Sequence, residues 1–290
     1  MLITLKNEFL SLTVDTAGAQ MMSIRSADGC EYLWQGDPKY WADRAPTLFP
    51  FIGRLTDNRY AFHGQVYEMG IHGFAAGSEF APADRSEDAL TLRLCSSEAT
   101  KEMYPFDFSL QVTYRLEGSR VLIGYAVQNL SGETMPFGIG GHPGFRVPLD
   151  EGERFEDYSI EFLDNCRPDR VGFTPSVFLS GHDEPYPLTE GRFLPLRHDL
   201  FDDDAVILKN MARRARLSAG GSRAVTVSSP DMAYLGIWHR PKTDAPYVCI
   251  EPWSSLPARQ DVVEELSCKS DLVQLAAGKT YTNCWSITIS

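Results

Sequence analysis

The chain has 290 residues, 43% of them hydrophobic, and a formal net charge of −12. That is enough apolar matter for a sizeable core and excludes a disordered polymer. The excess of negative charge argues against a nucleic-acid or anionic-membrane surface, which needs concentrated positive charge, and mildly disfavours a highly anionic substrate. No apolar run of about 18 residues occurs, and Met1–Lys6 lacks the basic and then apolar pattern of a signal peptide. Cys30, Cys95, Cys166, Cys249, Cys268 and Cys284 form no Cys-x-x-Cys pair and no His/Cys cluster at zinc spacing. The expectation is a cytoplasmic protein with reduced thiols, several of them in the core, and no metal.

Period-two alternation recurs along the chain. Leu10, Leu12 and Val14 alternate with Ser11 and Thr13. Ser97 to Met103 reads as one short helix, ended before Pro105. Phe108, Leu110, Val112, Tyr114 and Leu116 form one apolar row, and Val121, Ile123, Tyr125 and Val127 form the next. The turn Glu117-Gly118-Ser119-Arg120 between them predicts a hairpin. Arg167 to Asp199 is rich in proline, but Phe173, Val177, Phe178 and Phe193 run through it, so it reads as a long packed crossing rather than a linker. Tyr281, Asn283, Trp285, Ile287 and Ile289 close the series. Many short strands and almost no helix predict an all-β protein, a twisted antiparallel sandwich with residues 1–290 in one domain.

Five segments carry residues suited to chemistry. Tyr247-Val248-Cys249-Ile250-Glu251-Pro252-Trp253 reads as a strand with Val248 and Ile250 on one side and Tyr247, Cys249 and Glu251 on the other. Pro252 is expected to stop the ladder and Trp253 to offer a flat apolar wall beside a base. In Gly140-Gly141-His142-Pro143-Gly144-Phe145, two glycines free the backbone and a proline fixes it, aiming an imidazole suited to proton transfer near neutral pH. Arg54 is the only charge in Leu48–Leu55, and arginine suits both sugar hydroxyls and carboxylates. His72 precedes a glycine and a phenylalanine, as in a loop that enters a pocket. Asp202-Asp203-Asp204 is either a solvated turn or a run with one acid facing inward. Trp34, Trp41, Trp238 and Trp253 could present ring faces to a sugar or belong to the core.

Phe49-Pro50-Phe51-Ile52-Gly53-Arg54-Leu55, His72-Gly73-Phe74, Gly141-His142-Pro143-Gly144-Phe145 and Cys249-Ile250-Glu251-Pro252-Trp253, in that order, resemble the aldose 1-epimerases (galactose mutarotases), and within them the LacX-like branch. The resemblance spans nearly the whole chain. It implies a β-sandwich that interconverts sugar anomers without a cofactor. Its partner would be a small-molecule aldose, and the protein a monomer or homodimer. Carried over motif by motif, Glu251 is the general base and His142 the general acid, with Arg54 and His72 as substrate ligands. The binding aspartate falls in Asp202–Asp204, and Asp204, directly before the apolar strand, is the choice. Arg54, His72, His142, Asp204, Trp238 and Glu251 should therefore share one cleft. The family's asparagine-rich segment is reduced here to Asp57-Asn58-Arg59, so substrate preference transfers less well than chemistry. Two rivals are a sugar-binding sensor and a glycoside hydrolase pairing Glu251 with an acid of the Asp202–Asp204 run. A sugar-phosphate substrate would need a cationic rim, for which Arg25, Arg44 and Arg240 are the candidates.

Overall fold

Antiparallel strands make up most of the computed structural model, which describes residues 1–290. The one α-helix, Glu98–Met103, starts at a Ser97 cap: the Thr100 N–H donates to the Ser97 hydroxyl, and the Ser97 N–H donates back to the Thr100 hydroxyl. The expected hairpin joins Phe108–Glu117 to Arg120–Asn129, with Arg120 opposite Glu117 and Gly118 at φ +58 in the two-residue turn. Circular alternation of buried and exposed positions in both strands is what the sequence pattern requires of a half-buried sheet.

These two strands lie inside a nine-stranded sheet. Its order is Phe193–Pro195, Ser159–Phe162, Arg214–Ser218, Ala224–Ser228, Thr280–Ile289, Arg120–Asn129, Phe108–Glu117, Ala89–Cys95 and Ala81–Arg85. An eight-stranded sheet faces it. Glu184–Pro185, Asp169–Arg170, Val206–Lys209, Tyr234–Trp238, Tyr247–Trp253, Gly140–Gly141 and Thr47–Leu48 follow one another, and Gly144–Arg146 also pairs with Tyr247–Trp253. Side chains from the facing surfaces interdigitate in a core of 67 buried residues. Tyr114, Ile123 and Trp285 come from the first sheet, and Leu235, Ile237, Val248 and Ile250 from the second. The Arg167–Asp199 segment crosses between them, giving the edge strand and its neighbour to the second sheet and one edge strand to the first.

Both faces of the eight-stranded sheet are covered, so every residue of Tyr247–Trp253 is buried. Val248 and Ile250 point into the core, while Tyr247, Cys249 and Trp253 pack in small clusters on the other face. That outer face carries the site.

Three local expectations need correction. Pro252 does not stop the ladder: it lies opposite Leu235, and Trp253 beyond it still pairs with Tyr234 and Gly140. A proline is tolerated in a strand where its missing N–H is not called on. Gly140 and Gly141 do not serve by conformational freedom, since neither has a positive φ. They are glycines for space: a Cβ on Gly140 would lie 2.7 Å from the Pro252 carbonyl oxygen, and one on Gly141 would lie 2.5 Å from the Trp285 ring. Of the six cysteines only Cys249 is buried. Cys95, Cys268 and Cys284 are exposed: strand alternation turns Cys95 and Cys284 to the solvent face, and Cys268 ends the short helical turn Leu266–Cys268.

Candidate active site

A cavity of about 560 Å³ opens on the outer face of the eight-stranded sheet. Arg54, His72, His142, Asp204, Trp238 and Glu251 all line it, although they lie far apart in the chain. The strands set the floor. Glu251 lies opposite Gly236, which in turn lies opposite Ile207. A Cβ on Gly236 would come within 3.3 Å of the Glu251 Cβ, so this glycine leaves room for the carboxylate to stand up from the sheet.

His142 sits at the edge where Gly140–Gly141 gives way to Gly144–Arg146. Backbone bonds lace this segment from both sides. The His142 and Gly144 N–H groups donate to the carbonyls of Pro46 and Arg44, and the Ile250 N–H donates to that of Pro143. Tyr125, from the opposite sheet, donates its hydroxyl to the Gly140 carbonyl. The imidazole is thus held between a loop and a central strand. Trp41 lies over it with ring centroids 4.8 Å apart, and Trp238 meets it edge-on at 5.6 Å.

His142 Nε2 lies 3.2 Å from Glu251 Oε2, with Glu251 only 1% exposed. The approach is close, yet Oε2 has no aligned donor and His142 Nδ1 has no partner among the protein's own groups. Buried polar atoms left unpaired are rare, and each costs about 1–3 kcal/mol. Both residues line the cavity. Burial pushes the Glu251 carboxyl well above its ordinary range, and the Asp204 charge adds to the shift. Burial likewise pushes the His142 imidazole well below its usual value, with His72 as a smaller contribution. His142, Glu251 and Cys249 also offer ligand atoms within 4.8 Å of one another, a soft–hard mixture open to a thiophilic cation. Burial and the neighbouring Glu251 raise the Cys249 thiol well above its ordinary value, which keeps it neutral beneath the pair.

His72 is set by its neighbours. The Gly53 N–H donates to its Nδ1 at 3.1 Å, and its own N–H donates to the Gly53 carbonyl at 3.0 Å. With Nδ1 as acceptor, the proton resides on Nε2 and is available as a donor. Burial and then Arg54 push its pKa down to about 4, so the ring is neutral. Gly73, at φ +76, must be glycine because a Cβ would lie 2.3 Å from the Phe49 carbonyl oxygen. Arg54 is exposed, lines the cavity and joins no ion pair, so it is not the partner of a buried acid.

Asp204 is the only member of its acidic run to reach this cavity; Asp202 and Asp203 line a neighbouring groove. Trp41, Trp238 and Trp253 give aromatic walls. Trp34 lies behind them, stacked on Tyr247 at 4.6 Å and donating its indole N–H to the Trp41 carbonyl. Of the three arginines considered for a cationic rim, Arg240 lines the cavity. Arg25 pairs with Glu31, and Arg44 is bound to the Met22 carbonyl and Gln35. Among the lining residues that the sequence reading did not assign to a site are Asp43, Phe173 and Val177. Asp43 gives no local signal. Phe173 and Val177 are apolar residues in a proline-rich stretch, where a core role and a lining role look alike.

The outer sheet face of this sandwich thus holds a buried carboxylate and an imidazole under aromatic walls, the groups that acid–base chemistry requires. Residues 1–283 match the aldose 1-epimerase family model. The chain is 34% identical over 302 residues to the chromosomal protein LacX of Lactococcus lactis, covering 100% of this chain and 99% of that one. A galactose mutarotase related enzyme from Lactobacillus acidophilus superposes with a TM-score of 0.95 at 33% identity, covering 100% of this chain and 97% of that one. A galactose mutarotase-like protein from Lactobacillus casei gives 0.95 at 32% identity, with both chains covered in full. The chain belongs to the aldose 1-epimerase family.

Proposed function

We propose that the protein interconverts the α and β anomers of a free aldose, with Glu251 as base and His142 as acid. The observation that carries this reading is the buried contact of 3.2 Å between the two groups on the wall of a 560 Å³ cavity. Glu251 takes the proton of the C1 hydroxyl as His142 gives one to the ring oxygen, and the C1–O5 bond breaks to leave the aldehyde. Rotation about C1–C2 turns the other carbonyl face. Closure reforms C1–O5 while Glu251 returns a proton to the carbonyl oxygen and His142 recovers its own.

The pair holds one proton in total throughout. In the step that opens the ring it passes from the ionic arrangement (Glu251 carboxylate, His142 imidazolium) to the neutral one. Burial favours the neutral form of both groups. The pair therefore rests neutral, and the ionic arrangement that opens the ring is reached by moving the shared proton from Glu251 to His142. His72, with its Nε2 proton, and Arg54 and Asp204 supply hydrogen bonds to the remaining hydroxyls, and Trp238 faces the apolar side of the ring.

The test is mutarotation followed by polarimetry or NMR exchange over free aldoses and their 6-phosphates. The parent should accelerate at least one. Glu251→Gln and His142→Asn should each lower that rate by about 10²-fold or more, with binding partly kept. Full activity in Glu251→Gln would remove Glu251 from the role of base. A parent that binds sugars and accelerates none is a sensor rather than an enzyme.

A further inference from the structure

The proline-rich crossing contributes more to the site than packing. A second cavity, of about 790 Å³, adjoins the first. Phe173, Val177, Asp204, Ala205 and Pro241 line both, so the two spaces meet at these side chains. The second cavity is mainly polar. Arg170 and Lys242 line it, neither reaches the first cavity, and neither joins an ion pair. Single-ligand pockets of ~300–1,000 Å³ already enclose drug-sized molecules. One monosaccharide does not fill both spaces.

The boundary is built at the expense of backbone comfort. The Thr174 N–H donates to the Phe178 carbonyl, and the Val177 N–H donates to that of Thr174, which closes a three-residue hairpin loop. The last loop residue in such a turn takes the left-handed conformation and is ordinarily glycine. Here it is Val177, at φ +64, a conformation that β-branched residues rarely accept. Asp204, across the boundary, is also left-handed, at φ +81. A β-branched residue held left-handed where two cavities meet points to a function at that junction. Phe173 presents a half-buried ring beside them, a surface of the kind that sugar rings cover.

We infer that the two cavities form one groove for a reducing disaccharide. The aldose unit lies at Glu251 and His142, and a glycosidically linked second sugar lies over Phe173 among the polar groups of the second cavity. This rests on the proposed mutarotase reading and specifies its substrate class. The anomeric hydroxyl of the aldose unit stays free, as the ring-opening chemistry demands. Arg170 and Lys242 donate to hydroxyls of the second sugar, for which they carry enough N–H groups.

The experiment compares glucose with maltose, cellobiose and lactose, and galactose with β-1,4-galactobiose, by NMR exchange on the intact protein. At least one disaccharide should match or exceed its own reducing sugar in kcat/KM. The double variant Arg170→Ala/Lys242→Ala should raise KM for that disaccharide about tenfold and leave kcat, and both constants for the monosaccharide, within a factor of about two. Disaccharides turned over tenfold worse than the free aldose, or a double variant that changes both sugars alike, would overturn the groove. Saturation-transfer NMR separates the two levels of the proposal. Contact to both rings of a disaccharide by a protein that speeds no mutarotation keeps the groove and removes the enzyme reading. Contact confined to the reducing ring overturns the groove whatever the activity.

Discussion

Glu251 and His142 are 3.2 Å apart and both out of water, so they titrate as a pair. Two separate, solvated groups with ordinary values of 4.5 and 6.5 would give a narrow bell that falls above pH 6.5. The buried pair behaves otherwise. It gains its second proton only below the lowered imidazole value and loses its last only above the raised carboxyl value. The rate on a preferred aldose should therefore stay level through pH 6.5. A half-fall centred there would show that the groups act independently. The same burial carries a stability consequence. Because the folded carboxyl value is raised, ionisation of Glu251 opposes folding as pH rises through that value. Glu251→Gln keeps the shape and cannot ionise. Its melting temperature should equal the parent's at low pH and exceed it increasingly toward alkaline pH; a lower value there would mean that the carboxylate is a net stabiliser. The types and order of these residues were legible in the sequence, since a carboxylate between Ile250 and Pro252 and an imidazole among glycines are unusual. Their mutual distance was not, because it depends on strand register and on the loop that carries Pro46.

At the scale of elements, the short Gly140–Gly141 strand decides where the imidazole stands. Gly141 packs flat on Trp285, which belongs to the opposite sheet and is 2% exposed. Gly141→Ala would place a methyl 2.5 Å from that ring, and neither a central strand nor a buried indole yields easily. Overpacking of this kind costs about 1–3 kcal/mol. Denaturant unfolding should show that loss, and mutarotation should fall further than stability accounts for, since His142 follows directly. A variant with parent activity would mean that the segment has slack. Val177 is the counterpart in the crossing. Val177→Gly relieves the left-handed strain, an effect of about 1–3 kcal/mol that the greater freedom of glycine in the unfolded chain partly offsets. The variant should melt no lower than the parent while its kcat/KM for the preferred sugar declines. Clear destabilisation would show that the Val177 side chain serves the core. The alternation of long strands and the turn at Gly118 could be read locally. The two-residue and three-residue strands could not, because they exist only through the pairing of distant segments.

For the whole molecule, buried neutral histidines are expected to oppose folding in acid. His239 is fully buried, donating from Nδ1 to the Arg240 carbonyl at 2.7 Å and meeting His198 at 3.1 Å through Nε2. Burial pushes its pKa down to about 4, and His72 is lowered to a similar value. A histidine lowered in the folded state binds its proton more readily when unfolded, so its contribution is complete above pH 6.5 and is lost as pH falls toward 4. For His239 the loss is on the order of 3 kcal/mol. Unfolding free energy should decline over that interval, and His239→Leu should flatten the decline. An unchanged slope would place the acid sensitivity elsewhere. No helix of the molecule is long and apolar enough to cross a membrane.

The sequence by itself determined the class of structure and the chemical inventory. Period-two alternation is a local property, fixed by the geometry of extended backbone, and it shows wherever one face of a strand is buried. The motif residues Arg54, His72, His142 and Glu251 stood out because each interrupts an apolar or glycine-rich setting. Only the tertiary structure decided how those residues are placed. It brought Asp204, rather than Asp202 or Asp203, to the cavity, and it turned Phe173 and Val177 of the proline-rich crossing into a boundary between two cavities. It also gave Gly140 and Gly141 a steric reason in place of a conformational one. Side-chain direction in loops has no period, and close approach is a property of two segments at once. Neither can be read from one segment alone.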